Sequence, residues 1–453
     1  MKYGLIGEKL GHSFSVSIHN SFGNPDYELR EIPRDELDAF MKERDFAGIN
    51  VTIPYKQDVM KHCILDDAAK QIGAVNTIVN RNGVLYGYNT DAYGLSALID
   101  RTMTPGLSTQ FGDSYSAVIL GAGGTCKTAI YVLEQKRVSS IYVLARDTKK
   151  AEETLKGKKV TVFPIEAGSY PDCVKNAKIL INTTPVGMYP KADGVPVDLD
   201  DFTNLECVFD VVYNPLTTNL VANAKAKGIS SANGLYMLVM QALKAELLFF
   251  EEEGGLHNLK IELPSHLSIP ERYKAKRQKL QDEGERVYRE LYLKQSDIVL
   301  IGMPGSGKST LGRMLAERTG RKFVDTDEEF TQKFEMTPGD CIRTQGEDAF
   351  REKETQVVKE VAAGTGLVIA TGGGVVTRPK NIELLKQNGE IVYINRDISN
   401  LSSKGRPLSQ GDGAIEKLFE IRKPLYEKAA DYIVNAEEGK VDITCDSIES
   451  NFR

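Results

Sequence analysis

The chain alternates short apolar runs rich in β-branched residues with longer stretches of helical period, the pattern of an α/β protein. Strands are predicted at Lys2–Gly7, Gly48–Ile53 and Ala74–Arg81, with a helix at Arg34–Arg44 behind Pro33. A second series places strands at Ser116–Leu120, Ser140–Arg146, Ile179–Asn182 and Val208–Val212, and a third opens with Asp297–Ile301. Each series fits an open sheet covered by helices. Twice a strand runs straight into a glycine-rich turn and then a helical pattern, at Gly121 and at Gly302. That arrangement turns backbone N–H groups toward a phosphate, so two separate phosphate-binding sheets are expected.

From 251 to 295 the pattern breaks. An acidic triplet, Pro264 and Pro270 precede a basic helical stretch with apolar residues at Val287, Tyr288, Leu291 and Tyr292. This reads as a linker ending in an amphipathic helix that packs on one of its neighbours. Residues 1–100 with 232–250, 101–231, 251–295 and 296–453 are the expected segments.

The length of 453 residues is enough for roughly three folding units, and 41% apolar residues can supply their cores. With 57 Lys+Arg against 63 Asp+Glu, the net charge of −6 offers no broad field for nucleic acid or an anionic membrane. An anion must then be captured locally. The longest apolar runs, Asp297–Met303 and Leu235–Met240, fall well short of the roughly 18 residues of a membrane span, and no export signal opens the chain. Six scattered cysteines, with no Cys-x-x-Cys and no histidine pattern, read as reduced thiols of a cytoplasmic protein without a zinc site. No motif encodes an oligomeric state.

Gly302-Met303-Pro304-Gly305-Ser306-Gly307-Lys308-Ser309 matches G-x-x-x-x-G-K-[ST] without a gap. Its backbone would cradle phosphates, with Thr310 following; Lys308 would reach the outer oxygens and the Ser309 hydroxyl would coordinate magnesium. Asp325 and Asp327, expected on alternate residues at a strand end, stand where an acceptor hydroxyl and hydrated magnesium would sit. Together with Gly346–Glu354, Thr371–Gly374, Arg406-Pro407-Leu408 and Arg422–Tyr426, this ordered set resembles shikimate kinase over 296–435. The resemblance implies a P-loop kinase taking ATP and Mg2+. Asp325 would hold the metal through water, and Asp327 would orient and deprotonate the acceptor. Arg351, Arg422 and the backbone at Gly373 and Gly374 would bind shikimate, and Arg406 would close a lid over the phosphates. The lid is short, and no arginine matches the family's adenine-stacking contacts.

Gly121-Ala122-Gly123-Gly124-Thr125-Cys126 resembles G-x-G-x-x-G with cysteine at the third glycine. Arg146 and Lys150 stand where cations would meet the 2′-phosphate of NADP, whereas Asp147 would favour the free 2′-hydroxyl of NAD. Gly11–Ser15, Asn50–Lys56, Gly73–Thr77, Gly87–Asp91, Asn182–Met188, Asp210–Pro215 and Asn233–Gln241 come in the order of shikimate dehydrogenase, and the resemblance spans about the first 250 residues. It implies a substrate-binding domain, a Rossmann-like NADP domain that includes Met188, and reduction of 3-dehydroshikimate. Ser13, Ser15 and Tyr213 would take the substrate carboxylate; Thr52, Asn76, Asp91 and Gln241 would hold ring hydroxyls; Lys56 and Asp91 would form the catalytic pair. The expected whole is a dehydrogenase fused to a kinase, acting on 3-dehydroshikimate and then on shikimate. An NAD-using quinate/shikimate dehydrogenase joined to the same kinase is one alternative, and a nucleotide-binding sensor without catalysis is another.

Overall fold

The computed structural model describes residues 1–11, 13–103, 111, 115–166, 170–250, 269–401, 414–437 and 439–452. Arg406 and the lid segment around it therefore lie outside the described residues. The chain divides into two compact units, one built from 1–214 and 218–291 and the other from 215–217 and 292–453.

The first unit contains two six-stranded sheets. In the first sheet β1 (Tyr3–Gly7), β2 (Tyr27–Glu31), β3 (Gly48–Val51), β4 (Ile64–Leu65), β5 (Thr77–Arg81) and β6 (Val84–Tyr88) lie in the order β2-β1-β3-β5-β6-β4. β5 runs antiparallel to both β3 and β6, so this sheet is mixed. The second sheet holds β7 (Ser116–Leu120), β8 (Ser140–Ala145), β9 (Thr161–Pro164), β10 (Ile179–Asn182), β11 (Cys207–Asp210) and β12 (Ser230–Ala232) in the order β12-β11-β10-β7-β8-β9. All its pairings are parallel, and the winding reverses between β7 and β10, the place where doubly wound sheets open a crevice for dinucleotides.

Two helices fix the first unit's interior. Thr90–Thr102 and Leu235–Phe249 approach so closely that a Cβ on Gly94 would lie 2.4 Å from the Met237 carbonyl oxygen. The second helix is apolar almost all round, as a helix enclosed on every side must be.

Of the 251–295 segment, residues 251–268 lie outside the described residues, and the rest forms the expected helix. A helix runs over Ile269–Gln295 with Pro270 in its first turn, where a missing N–H costs nothing. Val287 and Leu291 are buried, as the apolar spacing predicts. Arg101 lies over the rings of both Tyr236 and Tyr288, 4.8 and 4.6 Å from their centroids, and its Nε donates to Glu285 at 2.8 Å.

The second unit is one parallel sheet of β13 (Asp297–Ile301), β14 (Lys322–Asp325), β15 (Leu367–Ala370), β16 (Gly389–Asn395) and β17 (Tyr432–Asn435), in the order β14-β15-β13-β16-β17. Its centre is fully apolar, with Val299, Leu300, Ile369, Val392 and Ile394 at 0% exposure, as strands covered on both faces require.

Several expected ends move. β3 stops at Val51 and β5 starts at Thr77, although just beyond those ends the Thr52 N–H still donates to the Ile6 carbonyl and the Asn76 N–H to the Tyr88 carbonyl. β8 stops at Ala145 and β11 at Asp210, whose carboxylate accepts from the Val212 N–H and bends the chain there. The helix after Pro33 is only Leu37–Glu43. Asp325 and Asp327 do not share a strand. β14 ends at Asp325, which caps the helix Thr326–Phe334 by accepting from the Asp327 N–H at 3.0 Å, so Asp327 sits in that helix's first turn.

Candidate functional sites

The first site forms where the mixed sheet meets the start of helix Thr90–Thr102. Lys56 follows β3, and Asp91 is the second residue of that helix, where the dipole favours a carboxylate. Lys56 Nζ donates to Asp91 Oδ2 at 2.6 Å, the two side chains being 30% and 19% exposed. Asp91 Oδ1 accepts from Asn76 Nδ2 at 2.9 Å, and Asn76 Oδ1 accepts from the Thr90 N–H at 2.7 Å. Thr90 Oγ1 donates in turn to Gln241 Oε1 at 3.4 Å. The result is a half-open ion pair set against fixed amides. It can orient hydroxyls and pass a proton to a neighbouring oxygen.

Ser13 Oγ donates to Ser15 Oγ at 3.0 Å, and Ser15 begins the helix Ser15–Ser21, so two hydroxyls lie at a helix N-terminus. Phe14 between them stands 5.8 Å from the ring of Tyr213, whose phenol is pushed up by burial and so keeps its proton. Thr52 lies just past β3, its N–H donating to the Ile6 carbonyl.

At the switch point of the all-parallel sheet, Gly121 has φ +91°, and a Cβ there would come within 2.8 Å of Thr184 Cγ2. Only glycine suits both demands. Gly123 caps and Gly124 opens the helix Gly124–Gln135, and each faces open space where a Cβ would stand. Cys126 is wholly buried, its thiol pushed up to about 12 by burial, and fills the third glycine's place as a small apolar residue. Arg146 follows β8 and is exposed. Asp147 is already employed: its carboxylate accepts from the Lys150 N–H at 3.0 Å and caps the helix Thr148–Thr154. Met188 is exposed on the loop after β10.

The second site is a cleft of about 910 Å³. Lys308, Ser309, Asp325, Asp327, Arg351, Gly373, Gly374 and Arg422 all line it. Lys308 Nζ donates to the carbonyls of Gly302 and Met303 at 3.0 and 2.9 Å, which folds the loop around its own cation. Gly305 and Gly307 take φ of +84° and +93°, and Thr310 is exposed on the helix Lys308–Thr319. Ser309 Oγ donates to Asp325 Oδ2 at 2.6 Å. These are hard oxygen donors of the kind magnesium takes, and too few to hold it without water and phosphate. Among the described residues no cluster of three or more His, Cys, Asp or Glu is arranged for a metal.

Arg422 Nη1 donates to the Gly373 carbonyl at 3.1 Å. A Cβ at Gly374 would fall 2.2 Å from Arg351 Nη2, so glycine is what lets that guanidinium reach the cleft.

Comparison with known proteins now bears on both sites. Residues 5–78 match the family model of the shikimate dehydrogenase substrate binding domain. The chain is 39% identical over 259 residues to the NADP(+) shikimate dehydrogenase of Clostridium beijerinckii, covering 55% of this chain and 92% of that protein. It is 37% identical over 262 residues to that of Pyrococcus furiosus, covering 56% and 92%. The chain belongs to the shikimate dehydrogenase family. Residues 304–451 match the shikimate kinase family model. A solved shikimate kinase from Acinetobacter baumannii in complex with shikimate is 34% identical, covers 36% of this chain and 96% of that one, and superposes with a TM-score of 0.34. With shikimate dehydrogenase and shikimate kinase family models both matched along one chain, the protein is a dehydrogenase–kinase fusion, a bifunctional enzyme of the shikimate pathway.

Three residues beside the sites had no role read from the sequence: Glu354, Arg396 and Thr90. In the kinase segment, Arg351 Nη1 donates to both oxygens of Glu354 at 3.0 Å, and Nη2 donates to Glu347 Oε1 at 3.0 Å. Glu354 is 4% exposed; burial raises its pKa, while the Arg351 charge opposes the rise. Glu354 three residues after Arg351 in an amphipathic helix was the available signal. Arg396, just past β16, has Nη1 3.9 Å from where a Gly307 Cβ would stand. It lies beside the phosphate loop. In the dehydrogenase segment Thr90 joins Asn76 to Gln241, and its hydroxyl gave no sequence signal.

Proposed function

We propose that the first site reduces 3-dehydroshikimate to shikimate with NADPH and that the second phosphorylates the shikimate 3-hydroxyl with ATP and Mg2+. The observation that carries the first half is the Lys56–Asp91 pair at 2.6 Å with Asn76 against the same carboxylate. Ser13, Ser15 and Tyr213 grip the ring carboxylate. Thr52, Asn76 and Gln241 hold the hydroxyls, and Asp91 accepts from one of them while anchoring the Lys56 ammonium. The dinucleotide supplies a hydride to the carbonyl carbon. Lys56 Nζ passes a proton to the carbonyl oxygen as negative charge develops there, leaving the alcohol, and solvent reprotonates the amine. The partial exposure of the Lys56 side chain gives that amine its path to water.

Residues 1–100 with 232–250 serve as the substrate-binding domain and 101–231 as the dinucleotide domain, with Gly121, Gly123, Gly124 and Met188 at the cofactor. NADP is favoured over NAD because Asp147 spends its carboxylate on capping a helix, while Arg146 is left exposed beside the strand end.

In the kinase domain, 296–453, the P-loop backbone from Gly305 to Thr310 and Lys308 hold the phosphates. Ser309 and, through water, Asp325 hold Mg2+, which neutralises phosphate charge. Arg351, Arg422, Gly373 and Gly374 bind shikimate by its carboxylate and hydroxyls. Asp327 accepts the proton of the 3-hydroxyl as its oxygen attacks the γ-phosphorus, the bond from that phosphorus to the β-phosphate oxygen breaks, and ADP leaves. Two assays test the reading separately: oxidation of shikimate with NADP and with NAD, and phosphorylation of shikimate with ATP. NADP turnover well above NAD, together with a 3-phosphate product, is expected. Preference for NAD, or for quinate over shikimate, overturns the dehydrogenase half.

A further inference from the structure

The dehydrogenase unit also holds a buried histidine–carboxylate hydrogen bond that the chemistry above does not use. His19 is 1% exposed and Glu246 is 0%, and His19 Nδ1 hydrogen-bonds Glu246 Oε1. Asn24 Nδ2 donates to the same oxygen at 2.9 Å, and the second carboxylate oxygen is buried with no hydrogen bond. Tyr27 and Phe249, which lie against the imidazole, belong to an apolar cluster with Tyr3, Leu5 and Val79. A buried polar pair that leaves one oxygen without a hydrogen bond is costly to desolvate, and an apolar pair of similar size often serves stability as well or better. Its placement accounts for it better than stability does.

His19 is one helical turn after Ser15 on the helix that begins with the substrate hydroxyls. Glu246 is five residues beyond Gln241 on the enclosed helix Leu235–Phe249. The pair therefore ties the carrier of one half of the ring-acid pocket to the carrier of the other, across 227 residues of sequence. A second connection leaves from the same point. The His19 imidazole stacks on Tyr27 at 3.7 Å and 6°. Tyr27 OH donates to Asn50 Oδ1 at 2.7 Å, Asn50 Nδ2 to Thr77 Oγ1 at 3.0 Å, and Thr77 meets Thr90, the neighbour of Asp91.

We propose that His19 and Glu246 are positioning residues that set the spacing between the Ser13/Ser15 hydroxyls and Gln241, and so the affinity of the dehydrogenase for its ring acid. The inference rests on the proposed substrate reading. Neither residue touches the substrate; they act through the two helices.

The test is steady-state shikimate oxidation by the full chain carrying His19→Leu, His19→Asn or Glu246→Gln. Asparagine can place an amide N–H near the position of Nδ1, whereas leucine removes the donor and keeps apolar volume. His19→Leu should raise the KM for shikimate roughly 5- to 30-fold, with kcat and the KM for NADP within about twofold of the parent. His19→Asn should return most of the loss. Glu246→Gln, which keeps shape and an oxygen for Asn24, should raise the same KM and decides the matter if His19→Leu does not fold. An unchanged shikimate KM in the folded variants overturns the proposal. So does a parallel loss in kcat and both KM values that asparagine does not rescue, since that marks a role in the fold alone. A parent chain that does not oxidise shikimate at all removes the underlying reading instead.

Discussion

Lys56 and Asp91 show what single residues reveal and conceal. Each was a candidate through its neighbours in a motif, yet 35 residues separate them and nothing in their spacing announces a 2.6 Å contact. The fold makes the pair by bringing the end of β3 beside a helix N-terminus. Lys56→Ala should lower dehydrogenase kcat about 10²- to 10⁴-fold, the range of a lost general acid, and leave phosphorylation of shikimate intact. Lys308→Ala should do the reverse, read by the same two assays. A different residue governs stability. Asp297 is 1% exposed at the start of β13, and burial pushes its carboxyl up to about 7 although the Leu367 N–H donates to it at 2.7 Å. Because the folded pKa lies above the unfolded value of 3.8, the folded kinase unit binds a proton that the unfolded chain releases. The resulting contribution is complete below about pH 4 and lost as pH rises through 7. Asp297→Asn should therefore gain stability relative to the parent at pH 8 and show no advantage near pH 4. Urea midpoints followed by far-ultraviolet circular dichroism check this, and a pH-independent difference would refute it.

At the scale of elements, strand centres were legible and strand ends were not. Ser116–Leu120, Ile179–Asn182 and Asp297–Ile301 stand where β-branched runs placed them, since burial on both faces of a sheet demands such runs. The ends shifted where a side chain captured the backbone: Asp210 accepting from Val212, Asp325 capping the helix of Asp327, Asp147 capping that of Lys150. These same capping positions border the candidate sites, so the least legible ends fall beside the chemistry. Close helix packing was illegible as well. Gly94 reads as a weak point in a helical pattern, but it is the residue that lets two helices touch. Gly94→Ala should destabilise the dehydrogenase unit by about 1–3 kcal/mol through overpacking, with the kinase transition unmoved in calorimetry. A neutral effect would mean the helices separate at no cost.

For the whole molecule, the phosphate-loop pattern and the ordered motifs carried most of the reading, because each places many residue types in a fixed order that chance does not supply. The amphipathic helix expected at the end of the 251–295 segment runs from Ile269 to Gln295, with Val287 and Leu291 buried and Arg101 lying over the rings of Tyr236 and Tyr288. Among the described residues no helix is long and apolar enough to cross a membrane. The central claim is that one polypeptide carries out two successive reactions on one ring acid. Mass spectrometry of the products after incubating the purified chain with 3-dehydroshikimate, NADPH, ATP and Mg2+ tests it most directly. The account predicts shikimate 3-phosphate, formed in step with NADPH consumption. Reduction that stops at shikimate while ATP is present, or phosphate transfer to added shikimate with no reduction of the ketone, would contradict it.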